Sequence, residues 1–259
     1  MSSRDRMLLL VVGVGAGFLS GVFGVGGGIL VVPGLMIFVH MEQRRAHGTS
    51  LAAVLPIAAA SLVTYWVHDH VDWPVAFWLT AGALGGAFVG ASLLAVISKR
   101  NLALVFAIVL VVVGVRLFFT VSGDGRGDIT FVSAAAYVVV GLATGALSGL
   151  LGIGGGAIMV PIMAVLFGIP SVIAKGTSLA VIIPTALMGT LKNRSNANVD
   201  LTASVVVGIT GVVMAVVGAW VSARMSDAVS NALFAVLLIA VAARMLRQAW
   251  KETARATGG

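Results

Sequence analysis

This chain has no cysteine and very little charge. Without cysteine there is no disulfide framework, no thiolate nucleophile and no thiolate metal site. Charged residues make up 10% of its 259 residues, against roughly 25% in soluble domains. Hydrophobic residues make up 59%. That is more apolar surface than a water-soluble core of this size can hide, so the exterior must face lipid. Acids are scarcer still: Asp5, Glu42, Asp69, Asp72, Asp124, Asp128, Asp200, Asp227 and Glu252 all fall in tails, loops or at the edges of apolar runs. Cation pumps and cation antiporters need carboxylates inside the membrane, so a substrate handled here is expected to be an anion. Four histidines (His40, His47, His68, His70) leave little material for a metal site. The net charge of +7 would suit nucleic acid, but the basic residues sit mostly in short loops and tails. That is a pattern of membrane topology rather than of a phosphate-binding surface.

What is present is written twice. Residues 17–56 align with residues 145–184 at a constant offset of 128, with 17 of the 40 positions identical. The triplet Gly26-Gly27-Gly28 recurs as Gly154-Gly155-Gly156, and Gly48-Thr49-Ser50-Leu51-Ala52 recurs as Gly176-Thr177-Ser178-Leu179-Ala180. The same offset pairs Pro33 with Pro161, Pro56 with Pro184, Asp72 with Asp200 and Arg116 with Arg244. A duplicated hydrophobic unit with paired glycine breaks is a common plan for membrane transporters. The halves are expected at 1–122 and 123–259, joined in one transport unit.

Ten apolar segments follow, at about 7–23, 29–40, 48–67, 74–97 and 102–119, then 131–151, 157–168, 176–191, 201–223 and 229–250, each boundary good to about 2–4 residues. Met1 to Arg6 followed by an apolar run mimics a signal peptide, but the run continues into the repeated motif without a small-residue cleavage site, so it is read as the first membrane helix. At 1.5 Å per residue the second and seventh segments reach roughly 18 Å, short of a roughly 30 Å hydrocarbon core. They read as half-helices or short tilted helices; the sequence leaves open whether each forms a re-entrant hairpin or a span with the segment before it.

Five segments per copy turn the second copy upside down relative to the first. With the N-terminus inside, this places Arg4, Arg6, Arg44, Arg45, Lys99, Arg100, Lys192, Arg194, Arg247, Lys251 and Arg255 in the cytoplasm. Only Arg126, Lys175 and Arg224 fall outside, with Arg116 and Arg244 near helix ends. That bias satisfies the positive-inside rule, and four crossings per copy would spoil it. The expected fold is therefore an all-α polytopic membrane protein with an inverted 5+5 repeat, glycine-broken half-helices and both termini cytoplasmic.

The chemistry is expected at the glycine runs. Each Gly costs a helix interior roughly 1 kcal/mol, and broken backbone at membrane depth survives only when buried in protein or lining a watered cavity. A run leaves N–H groups bare, and the helix that follows carries a partial positive charge at its start. Two such ends from opposed repeats make a site for an anion from Gly26, Gly27, Gly28, Gly154, Gly155 and Gly156. The ordinary alternative is close helix packing, which suits isolated glycines such as Gly82, Gly85, Gly86 and Gly90. A nucleotide-binding loop is discarded, since no Lys follows the glycines and no soluble strand–helix unit surrounds them.

The Gly-Thr-Ser motif opens segments 3 and 8. Thr49, Ser50, Thr177 and Ser178 can cap those helices or donate hydroxyls to an oxyanion. His47 precedes one motif and Lys175 the other, as anion-attracting groups or, for Lys175, as an interfacial snorkelling side chain. The four prolines are hinges or simple kinks. No cofactor is implied and no nucleic acid partner. The partners are the bilayer and a small anion; a coupled proton would ride on a His or on the anion itself, and homo-oligomerisation stays open.

Gly17-Phe18-Leu19-Ser20-Gly21-Val22-Phe23-Gly24-Val25-Gly26-Gly27-Gly28 and its partner at 145–156 resemble the signature of the sulfite exporter TauE/SafE family, with Pro33/Pro161 and the Gly-Thr-Ser pair strengthening the match. The resemblance covers essentially the whole chain. It implies a bacterial inner-membrane permease for sulfite, sulfonates such as sulfoacetate, or related small sulfur oxyanions, usually exporting. An anion channel, a carrier of another small organic anion, and a membrane-embedded enzyme are the alternatives. The last has only Ser20 and Ser148 in Leu-Ser-Gly contexts to offer, with no mid-helix His as a base.

Overall fold

The computed structural model describes residues 3–93, 127–151, 155–195 and 198–257, with 104, 107, 108, 110–112, 114 and 115 between them. Among these residues the regular structure is helical: α1 (Ser3–Phe23), α2 (Gly28–Phe38), α3 (Gln43–Val67), α4 (Trp73–Leu93), α5 (Phe131–Leu151), α6 (Gly156–Phe167), α7 (Ser171–Ser195), α8 (Leu201–Ser222) and α9 (Asp227–Thr257). The fifth expected segment, 102–119, is helical wherever it is described. Lys99, Arg100, Arg116, Arg126 and Gly154 lie outside the described residues.

Among the described residues six helices carry stretches long and apolar enough to cross a membrane: Arg4–Phe23, Arg44–Val67, Phe131–Ser148, Ser171–Arg194, Leu201–Ser222 and Asp227–Arg244. Their outward faces are apolar, as on α8, where Val205, Ile209, Val213 and Trp220 are all exposed. Such a surface is stable only against lipid. Helices α2 and α6 have 11 and 12 residues, the short elements expected after the glycine breaks.

Glycine sets the closest packing. α1 lies along α8 through Gly13 on Val207 and Thr210, Gly17 on Gly211, and Gly21 on Ala215. α4 lies along α5 through Gly82 on Val138, Gly86 on Leu142 and Gly145 on Ala83. In each pair the numbers rise together, so the helices run parallel. The offset of 128 converts one pair into the other, since Gly17 with Gly211 becomes Gly145 with Ala83. Between them α3 packs on its own repeat counterpart α7, with Leu51 against Gly189 and Tyr65 against Gly176. Here one number rises as the other falls, so these two equivalent helices run in opposite directions.

One expectation needs correction. The Gly-Thr-Ser motifs do not open their helices: α3 begins at Gln43 and α7 at Ser171, five residues upstream of Gly48 and Gly176. Gln43-Arg44-Arg45-Ala46-His47 before the first motif and Ser171-Val172-Ile173-Ala174-Lys175 before the second form the first turns of their helices. Thr49 and Thr177 therefore cap nothing in their own helix. Instead Thr49 Oγ1 accepts the N–H of Asp200 at 2.9 Å, and Thr177 Oγ1 accepts the N–H of Asp72 at 2.9 Å. Each Asp in turn caps the next helix, Asp200 accepting from Ala203 and Asp72 from Val75. These two clasps, equivalent under the offset, tie each half to the other.

Candidate functional site

Both glycine breaks are turns that require glycine. Gly24, Gly26 and Gly27 have φ of 68°, 73° and 76°, and Gly155 has 69°, values that side chains with a Cβ strongly disfavour. Gly27 and Gly155 are the residues before α2 and α6, and neither helix start has a side-chain cap. Short helices with uncapped amides at their starts are receptive to negative charge.

The fold brings the two breaks together. A Cβ placed on Gly156 would stand 2.9 Å from Val25 Cα, 2.9 Å from Ser178 Oγ and 2.6 Å from Ile182 Cδ1. One on Gly26 would stand 3.1 Å from both Val54 and Ile182, which are themselves equivalent positions in the two copies. Ser178 donates to the Gly24 carbonyl at 2.9 Å, so a hydroxyl from the second half holds the break of the first. Its counterpart Ser50 is fully buried, and its hydroxyl has no hydrogen-bond partner among the described residues. Gly28 is buried at the start of α2.

Other expected site residues lie elsewhere. Gly27 faces the Ala16 carbonyl and Gly155 the Thr144 carbonyl, each on the first helix of its own half. His47 is half-buried in the first turns of α3. Lys175 does not snorkel: it is 2% exposed, and its Nζ donates to Ser222 Oγ at 2.8 Å and to Ser230 Oγ. Its backbone abuts Gly24, whose added Cβ would stand 2.6 Å from Lys175 Cα.

Sequence reasoning missed Ser222, Ser230 and Tyr65. Comparison of the copies hid them, because the offset puts Leu94, Leu102 and Asn193 opposite these three. The differences between copies, rather than the identities, were the available signal. Tyr65 is buried and donates to the Gly21 carbonyl at 2.8 Å. At the same end lies the loop of His68 and His70, whose rings stack. Burial, followed by the neighbouring His68, pulls the His70 pKa below the ordinary imidazole value.

The chemical inventory is rich in donors. Asp72, Asp200 and Asp227 stand at helix starts, and among the described residues no group of three His, Cys, Asp or Glu could hold a metal ion. Hydroxyls, glycine amides and one buried ammonium line the junction of the halves. Such a set has hydrogen bonds to offer an anion.

The model for "Sulfite exporter TauE/SafE" matches residues 2–117 and 137–258. The chain belongs to this family. It is 30% identical over 260 residues to a "Probable membrane transporter protein" of Xylella fastidiosa (strain 9a5c), covering 95% of this chain and 97% of that one. It is 25% identical to the "Probable membrane transporter protein YunE" of Bacillus subtilis (strain 168), over 87% of this chain and 88% of the other. A "Probable membrane transporter protein" of Methanocaldococcus jannaschii is 31% identical over 61% of each chain. With six helices among the described residues long and apolar enough to cross a membrane, this TauE/SafE member is a multi-pass membrane protein of a transporter family.

Proposed function

We propose that the protein is a secondary transporter, not an enzyme, that exports a small sulfur oxyanion such as sulfite or an organosulfonate by alternating access. The observation that carries the reading is the meeting of two uncapped glycine breaks, one from each half, at Val25, Gly156 and Ser178. It occurs in a chain whose interior holds no mid-helix acid. The anion sits beside Gly26, Gly28 and Gly156, with the hydroxyl of Ser50 as a donor; Ser178 holds the Gly24 carbonyl, and Thr49 and Thr177 hold the adjoining helix starts in place. The repeat is inverted, a relation supported by the opposed directions of the equivalent helices α3 and α7. Such symmetry lets one half rock against the other about a central site. Both termini lie in the cytoplasm of a bacterial inner membrane, as the basic residues favour. The sulfur oxyanion and its outward direction rest on the family's description.

The test is a panel of sulfite, sulfoacetate, sulfate, thiosulfate and carboxylates, scored by thermal stabilisation of purified protein and then by counterflow in liposomes. Saturable stabilisation by one sulfur oxyanion is expected, because a ligand of the folded state raises its stability, and that anion should show countertransport. A flat panel from monodisperse protein would refute the oxyanion reading, and flux without saturation or counterflow would replace the carrier with a channel.

A further inference from the structure

An ammonium group is costly to withdraw from water, and a hydroxyl can solvate it but cannot neutralise it. Lys175 is nonetheless 2% exposed, and its two hydrogen-bond partners, Ser222 and Ser230, are 4% and 2% exposed. Asp227, at the start of α9, contributes an attractive charge. The Tyr65 hydroxyl, from the first half, lies beside Ser222. Lysine donates in both bonds; the Tyr65 proton goes to the Gly21 carbonyl, so Ser222 donates to the Tyr65 oxygen while Ser230 keeps its own proton to give. One ammonium and one hydroxyl with a proton to give, that of Ser230, thus stand side by side. This donor set matches an anion with several oxygens.

The cluster belongs to one copy only. Under the offset of 128, Lys175, Ser222 and Ser230 correspond to His47, Leu94 and Leu102, so the first copy's sequence lacks it. Its place is also informative. Lys175 abuts Gly24 and precedes Ser178, which holds the Gly24 carbonyl, while neighbouring Gly176 packs on the His70 carbonyl. The cluster therefore lies between the glycine break and the His70 end of the molecule.

We propose that Lys175, Ser222 and Ser230 form a second oxyanion subsite, on the path between the glycine breaks and the His70 end. The inference rests on the anion-transport reading and adds to it a station specific to one end. An arriving anion accepts hydrogen bonds from the third ammonium N–H of Lys175 and from the Ser230 hydroxyl.

Isothermal titration of purified protein with sulfite and with sulfoacetate tests this, comparing wild type with Lys175→Gln, Ser222→Ala and Ser230→Ala, each checked for a monodisperse elution profile. In Lys175→Gln the Kd is expected to rise about tenfold to hundredfold, the worth of a charge-assisted hydrogen bond. The serine variants should show smaller rises in the same direction, and they carry the test if Lys175→Gln does not fold. Wild-type binding with unchanged Kd in the variants would overturn the subsite and leave the transport reading intact. A lower thermal midpoint at unchanged Kd would make the cluster a structural tether, which also overturns it. Failure of wild type to bind either anion would remove the sulfite and organosulfonate reading and the subsite together.

Discussion

Ser50 and Ser178 occupy the same place in the two copies, yet their environments differ. Ser178 supplies the Gly24 carbonyl with its hydrogen bond, whereas the Ser50 hydroxyl is buried without a partner among the described residues. Removing a partner from a buried carbonyl costs about 1–3 kcal/mol, while removing an unsatisfied hydroxyl is neutral or favourable. Ser178→Ala should therefore lower the thermal midpoint in detergent, and Ser50→Ala should leave it unchanged or raise it. Equal losses in both variants would show that Ser50 is also a structural hydroxyl. At this scale the sequence was legible in part. The paired motif marked both serines as important, but the hydrogen bond crosses 154 positions, beyond the reach of local pattern. Lys175 shows the same limit: the sequence left it an anion-attracting group or an interfacial snorkelling side chain, and tertiary packing buried it against Ser222 and Ser230.

Among the helices, glycines with similar surroundings in sequence have different duties. A Cβ on Gly17 would stand 2.1 Å from the Gly211 carbonyl oxygen, so a methyl there must push α1 away from α8; around Gly85 nothing lies within 4 Å. Overpacking a tight contact costs typically about 1–3 kcal/mol, and replacing an unconstrained helical glycine by alanine gains up to about 1 kcal/mol. Gly17→Ala is expected to destabilise the protein and Gly85→Ala to be neutral or stabilising, as read from unfolding midpoints in detergent. Opposite signs would undo the assigned packing. Helix existence and type were readable from apolar runs broken by glycine, because both signals are local. The starts of α3 and α7 were not, since Gln43, Arg44 and Arg45 look like loop by polarity but continue the helix. In α3 that extension carries Arg45 to Asp200, 2.8 Å away across the halves.

For the whole molecule, inversion makes a topological prediction that a natural absence of cysteine renders simple to test. His68 follows α3, Glu42 precedes it, and Arg194 lies in the last turn of α7; all three are exposed. If the repeats are inverted, the end of α7 shares a side with the start of α3. Single-cysteine variants His68→Cys, Glu42→Cys and Arg194→Cys should then divide under a membrane-impermeant maleimide. Intact cells should label only the first, and the other two should react after lysis. Labelling of Arg194→Cys beside His68→Cys in intact cells would mean parallel repeats. Belonging to the TauE/SafE family would survive that result, but alternating access about an inverted repeat would not.

The sequence alone determined that the protein lives in a bilayer, that it is a duplication, where its helices break, and that its interior lacks acid. Composition and short-range pattern carry each of these, and the solvent enforces them residue by residue. Tertiary structure decided which residues meet. The breaks of the two halves converge, Thr49 and Thr177 each hold the opposite half's helix start, and Lys175 turns inward to two serines that have no equivalents in the first copy. Those outcomes depend on helices packing at glycine contacts over long separations, where local preference is silent and the fit of one surface to another selects the partners.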